Sequence, residues 1–226
     1  GGTCTLAADL EKLDIPSKVY DLIKRRLDKL MKEQKRMLDC ASVVGDEFQS
    51  EIVGQVIGLS KLQLLENLSE IEKTHHLIHC LKNKYQFDHS KVREVLYNGI
   101  SEILRKEYHR IIADTIAELH KDNLDEVISE LAYQYYEAGD KRAGEYLIKT
   151  SDKAKEEYAN EEAVRLYRNA LEIIGDKEKV EVLEKLGDVQ NLIGEYDEAI
   201  VNFIKAKEIT DNDECRIFIT LYQDLV

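Results

Sequence analysis

The sequence predicts a mainly α-helical chain in two parts: helices closed by one small β-hairpin, then a solenoid of stacked helix pairs. Three observations predict it. The stretch from Leu183 to Ile209 has the spacing of two packed helices and recurs 36 residues upstream. A single region, near residues 77–88, carries short β-prone runs on either side of a turn. Finally, one proline, no tryptophan and abundant Leu, Ile, Lys and Glu suit helices throughout a chain of 226 residues, long enough for two small domains.

The repeat reads LEKLGDVQNLIGEYDEAIVNFIKAKEI. Small residues at Gly187, Ala199 and Ala206 let two helices approach closely, while Leu183, Leu186, Tyr196 and Phe203 fill the space between them. Gly194 sits in the turn. Thirty-six residues upstream of Ala199, Phe203 and Ala206 lie Ala163, Tyr167 and Ala170, inside the second-helix pattern NEEAVRLYRNALEII. Ala143 and Leu147 follow Gly139-Asp140 in a further phase, so a helix over about 140–158 is expected to pair with both neighbours. One helix pair cannot bury its own apolar face. Residues 124–226 are therefore expected to form five or six helices in a curved array.

This pattern resembles a tetratricopeptide repeat, whose Leu-Gly, Ala, Phe and Ala positions match in order. It departs at Gln190, where the family has tyrosine, and at Asp211, where it has proline. The resemblance implies that the first helix of each repeat lines a concave groove. Its groove-facing positions would be Glu181, Glu184, Asp188, Asn191 and Leu192, with Ile148, Asp152 and Lys155 added by the preceding pair. Such a lining suits an extended protein or peptide partner bearing Lys or Arg; ordinary solvated helix positions are the alternative.

Charge is unevenly placed. Residues 1–100 hold 15 Lys+Arg and 15 Asp+Glu, whereas residues 101–226 hold 17 and 30, so the whole net charge of −13 falls there. An array that acidic repels nucleic acid and favours basic segments. Cys4, Cys40, Cys80 and Cys215 are dispersed with no Cys-x-x-Cys pair, which argues against a disulfide scaffold and for the reducing cytoplasm. No run of 18 or so apolar residues is present to span a bilayer, and the first ten residues lack the basic region and apolar core of a signal peptide. Gly1-Gly2 reads either as an added scar or as a cut through a longer protein, and the ending LYQDLV as a truncation.

Taken in order, residues 1–14 form a tail and Asp14-Ile15-Pro16-Ser17 is a helix start. A helix over about 17–31 would bury Val19, Leu22, Ile23, Leu27 and Leu30. A second runs to Val44 and stops at Gly45, and a third covers about 49–57 and ends at Gly58. Ser60 caps a fourth, with Leu62, Leu65, Leu68 and Ile71 as its stripe. Leu77 to Leu81, a turn at Lys82-Asn83-Lys84, and Tyr85 to Phe87 make the hairpin. Helices followed by a two-stranded wing define a winged-helix domain, about residues 15–97. Residues 98–123 connect it to the repeats at 124–226, with a break near Asn98-Gly99.

The runs IPSKVYDLIKRRLDKL, LDCASVVGDEF, YQFDHSKVREVLY and RKEYHRIIADTIAE resemble signal-transduction ATPases of the STAND class that carry a winged helix followed by tetratricopeptide-like repeats. The resemblance implies a nucleotide-binding domain upstream. Within these residues no Gly-x-x-x-x-Gly-Lys-Ser/Thr occurs; the closest spacing, Gly139 to Gly144, is followed by Glu145. Since a P-loop needs its backbone amides and lysine around the phosphates, no cofactor is expected here, and ATP or ADP only with the upstream domain. His89, just after the wing, would in that family reach the nucleotide phosphate, although here serine rather than aspartate follows it. Imidazole can donate to phosphate near neutral pH, and a residue packing at a helix start is the alternative.

His75-His76-x-x-His79-Cys80 invites a metal, but a helix end and a strand point neighbouring side chains apart, so none is expected. His109 and Arg105 read as helix-packing residues. The basic stretch Lys24, Arg25, Arg26, Lys29, Lys32, Lys35 and Arg36 could meet DNA or an acidic domain, or be a solvated face. A DNA-reading winged helix presents a basic recognition helix, whereas residues 60–74 offer Glu66, Glu70 and Glu72 beside Lys61 and Lys73. No nucleophile–base set can be nominated. The chain is expected to be non-catalytic, a regulatory and protein-interaction portion of a STAND-like ATPase or regulator, its solenoid binding a partner or inducer. Direct DNA binding through the winged helix is the alternative.

Overall fold

The computed structural model describes residues 17–210. The tail at residues 1–14, the start at Asp14 to Pro16, Asp211, Cys4, Cys215 and the closing LYQDLV lie outside the described residues. The chain divides into two compact units, one through Glu118 and one from Leu119. Each is mainly helical, and the first holds a small three-stranded sheet.

In the first unit, α1 (Ser17–Leu27) ends with Lys24, Arg25 and Arg26, cations that favour the negative end of the helix dipole. It rests on α5 through a narrow stripe: Ile23 and Leu27 are buried, while Val19 and Leu22 are exposed, against expectation. α2 (Lys32–Val44) carries the centre of the core, Met37, Leu38, Cys40, Ala41 and Val43. Buried Gln34 fixes its start, accepting from the Met31 amide at 3.0 Å and donating to Glu70 at 3.0 Å. β1 (Glu47–Phe48) leads to α3 (Ser50–Ile57), which Gly58 terminates in the left-handed conformation that glycine adopts without strain. A Cβ at Gly54 would stand 2.8 Å from the Leu64 side chain, so α3 and α4 (Lys61–Glu70) meet backbone to side chain. Ser60 and Gln63 cap α4 reciprocally. Its buried stripe is Leu64, Leu68 and Ile71; Leu62 and Leu65 face outward, because the run Leu62-Gln63-Leu64-Leu65 allows two phases and packing against α3 selects one.

A π-helical turn over Ile71–His75 delivers the chain to β2 (Ile78–Leu81) and β3 (Lys84–Phe87), the expected hairpin. Ile78 pairs with Phe87 and Leu81 with Lys84, all antiparallel. The sheet has one strand more than expected: β1 pairs with β3, Phe48 opposite Tyr85, giving the order β1-β3-β2. Two residues carry no periodicity, and this pairing is fixed by packing: Phe48 lies 5.9 Å from the Tyr85 ring and 5.6 Å from Phe87. α5 (Ser90–Gly99) and α6 (Glu102–Leu119) follow, broken at Ile100-Ser101.

In the second unit a 3₁₀ turn over Leu124–Glu126 precedes α7 (Ile128–Ala138), α8 (Ala143–Glu156), α9 (Asn160–Leu171), α10 (Asp176–Leu192) and α11 (Tyr196–Thr210). Each packs on the next, and the short connections make neighbours antiparallel. Alanines 163, 170, 199 and 206 are all buried at these contacts. A Cβ at Gly187 would fall 2.7 Å from the Phe203 ring, so the ring occupies the space that glycine leaves. Among the described residues no helix is long and apolar enough to cross a membrane.

Candidate functional site

α8 and α10 place several of the sequence-nominated positions on one face. Asp152, half-buried on α8, accepts the Tyr167 hydroxyl from α9 and the Lys185 ammonium from α10, the latter at 2.9 Å. Lys185 also pairs with Glu181 at 2.9 Å, one turn earlier on its own helix. Lys155 stands 3.8 Å from Asp188. Glu181 and Asp188 are exposed, Ile148, Glu184 and Asn191 half-buried, and Leu192 is 65% exposed. Asp152 and Glu181 thus meet at Lys185 and Asp188 at Lys155, and each ion pair links adjacent helices or turns.

The electrostatics follow from burial. Tyr167 is buried, and burial first, then its bond to Asp152, pushes its pKa well above the usual tyrosine range. Burial opposes the Lys185 ammonium, but its bonds to Asp152 and Glu181 outweigh this and raise its pKa. Neither Lys185 nor the Tyr167 hydroxyl was nominated from sequence. The signal for Tyr167 was present: it stands where the next repeat has Phe203, and a hydroxyl added at a buried aromatic position needs an acceptor.

His89 precedes α5 as its cap residue. Its carbonyl accepts the Val92 amide at 2.9 Å, and its side chain is exposed and makes no capping bond. The neighbouring Asp88 is held twice, its amide on the Leu77 carbonyl at 3.0 Å and its carboxylate 2.7 Å from His79 Nδ1. That contact fixes the segment carrying His89 against β2. His76 adopts a left-handed conformation with φ 50°, and the exposed Cys80 donates its amide to Glu72 at 2.8 Å. Among the described residues no three His, Cys, Asp or Glu side chains gather as metal ligands would.

His109 and Arg105 converge on Tyr97. The buried His109 Nε2 lies 3.0 Å from the Tyr97 hydroxyl, and the Arg105 guanidinium sits 4.8 Å above the ring. Arg93 covers the same ring at 5.7 Å while donating to the Ser42 carbonyl at 2.9 Å. These residues join α5, α6 and the end of α2. In the basic stretch, Lys35 pairs with Asp39 at 3.1 Å. On α4, Glu70 is bonded to Gln34, and Glu72 beyond it to the Cys80 amide.

No protein-family profile matches the chain, and no curated protein sequence does. Among solved structures it is similar to the crystal structure of a signal transduction ATPase with numerous domains (STAND) protein with a tetratricopeptide repeat sensor from Pyrococcus horikoshii. The TM-score is 0.40 at 16% identity over 88% of this chain. The likeness is distant, and the chain spans 35% of the length of that protein.

Proposed function

We propose that the chain is a non-catalytic regulatory and protein-interaction module, with a tetratricopeptide-like second unit that receives a protein or peptide partner. In this reading the first unit is a winged helix that relays binding to a nucleotide-binding domain of a STAND-like ATPase or regulator. Nucleotide enters only through that domain, with His89 as the residue that meets phosphate.

One observation carries the partner-binding reading: the face where α8 and α10 bring Asp152 and Glu181 onto Lys185 and Asp188 onto Lys155. The acids there outnumber the cations, and the exposed Leu192 adds an apolar contact at the end of α10. Basic segments are the complementary ligand. The carboxylates of α4 disfavour DNA phosphates, which dominate nucleic-acid affinity, so direct DNA reading is set aside.

The test is an array of immobilised, unstructured peptides graded from acidic to basic, probed with the intact chain at two salt concentrations. Basic peptides should bind best and weaken with salt. Glu184→Lys with Asp188→Lys should weaken binding of the basic peptides; indifference to peptide charge would defeat the reading. Once a nucleotide-binding domain is joined to the chain, His89→Ala should speed ADP release, and an unchanged off-rate would leave His89 only its place before α5.

A further inference from the structure

Three depressions of the second unit lie on the side formed by α7, α9 and α11, and all touch α9. The first, about 380 Å³, runs between α7 and α9 over α8 and includes Leu147, Thr150, Ala154 and Glu162. The second, about 450 Å³, runs between α9 and α11 over α10 and includes Leu183, Leu186, Gln190 and Glu198. These are the same four positions displaced by 36 residues, as 183 − 147 shows. The repeat has therefore built one groove twice. A third depression across α9, about 430 Å³, joins them, sharing Arg165 and Asn169 with the first and Arg168 with the second.

Two features mark this path as a site for a polar chain with apolar side groups. The Thr150 hydroxyl, in a residue only 8% exposed, is buried in the wall of the first groove without a hydrogen-bond partner. The path is also strongly acidic. Three carboxylates line the first groove, three the depression on α9 and two the second groove, eight against the four cations Lys153, Arg165, Arg168 and Lys205. Two of those cations are already engaged, Arg165 by both oxygens of Glu162 and Arg168 by Glu195 at 3.6 Å.

Given that the second unit is a partner receptor, we propose that the α7/α9/α11 side is a second binding surface, which takes an extended basic peptide with two apolar side chains three residues apart. The spacing follows from the repeat. Packed helices stand about 8–10 Å apart, so equivalent grooves recur at roughly 10 Å. A chain extended in the polyproline II conformation covers that in about three residues at about 3.1 Å each and, at three residues per turn, returns both side chains to one face. One apolar side chain enters each groove, against Leu147 in the first and Leu183 in the second. Lys or Arg between them meet the surplus carboxylates, and the Asn169 amide on the joining depression offers a peptide group both a donor and an acceptor. A helix is about 10–12 Å across, too wide to enter a crevice between neighbouring helices.

The test is fluorescence anisotropy with the intact chain and three labelled peptides. Lys-Leu-Lys-Arg-Leu-Lys has its leucines three apart; a second has the same composition with the leucines adjacent; a third is a helical peptide with leucines seven apart. The first should bind about tenfold more tightly than the second, since only it fills both grooves. Glu198→Lys and Glu162→Lys should each weaken it several-fold, while Glu184→Lys with Asp188→Lys should leave it unchanged. Equal binding of the two isomeric peptides would overturn the proposal. So would preference for the helical peptide, or loss only in the Glu184 and Asp188 variant, which would return all binding to the α8/α10 face.

Discussion

The pairs α8–α9 and α10–α11 are one design carried out with two sets of side chains. Over Gly187 the α10–α11 contact is apolar: Phe203 fills the space the glycine leaves, and Leu186 sits beside it in the buried layer. In α8–α9 the same three positions hold Tyr167, Ser151 and Thr150, with Ala163 and Ala170 keeping the close approach. The hydroxyls change what holds the pair. Ser151 bonds back to the Leu147 carbonyl at 2.7 Å, and Tyr167 reaches out to Asp152. Thr150, where its counterpart is leucine, is left without a partner. Both pairs add a polar bond to packing, Asn202 donating to the buried Gln190 in α10–α11, but only the bond in α8–α9 extends to a third helix, α10. A repeat frame thus tolerates buried polarity where a neighbouring helix supplies the partner.

The largest break in that comparison comes from Phe203→Ala. Emptying a buried aromatic site should cost about 3–5 kcal/mol, read as a lower urea midpoint in circular dichroism and as faster amide exchange across α10 and α11. A smaller effect would mean the helices collapse into the gap. Gly187→Ala comes next. Alanine favours a helix over glycine, yet its methyl would lie 2.7 Å from the ring, so overpacking of about 1–3 kcal/mol should prevail. A gain in stability would show that the Phe203 ring can swing aside.

Tyr167→Phe gives α8–α9 the ring of its counterpart and should cost about 1.5–3 kcal/mol, the value of a hydrogen bond to a charged acceptor. It should also alter the alkaline limb. Tyr167 has a folded pKa raised above its unfolded value of about 10. Its stabilisation is complete below about pH 10 and is lost as pH rises further, because only the unfolded chain then releases the proton readily. In the phenylalanine variant stability should fall less steeply above pH 10. An identical slope would assign the alkaline transition to other groups, such as Tyr108 or Tyr136, which are raised as well.

The smallest effect runs the other way. Thr150→Val keeps the shape and removes an unpaired buried hydroxyl, so stability should rise by about 1 kcal/mol. A loss would show that the hydroxyl has found a partner in solution.

How much was legible follows the reach of each signal. The α10–α11 pair was legible because Gly187, Ala199, Phe203 and Ala206 each carry a steric requirement within one local pattern. The β2–β3 hairpin was legible from β-prone runs flanking Lys82-Asn83. β1 was not, since two residues have no period and their partner lies almost forty positions on. Val19, Leu22, Leu62 and Leu65 have the right helical spacing but face outward, because spacing names a stripe and only packing chooses between neighbouring stripes. In the candidate site the acids Asp152, Glu181 and Asp188 could be put on one side from helix phase. Their organiser could not: Lys185 is 33 residues from Asp152, and Tyr167 is 15.

The double acceptance by Asp152 has a consequence for how the second unit comes apart. In a linear array, stability divides into what each pair supplies and what each junction supplies. Tyr167 belongs to the pair of Asp152, Lys185 to the next, so one carboxylate serves both accounts. Detaching α10 and α11 leaves Asp152 with half of its hydrogen bonding and weakens the hold of α8 on α9. Partly unzipped forms, with α7 to α9 intact and the last pair open, are thereby made scarcer than independent repeats would make them. The unit is expected to lose its protection against amide exchange as one block, and Lys185→Met should separate that block into two steps.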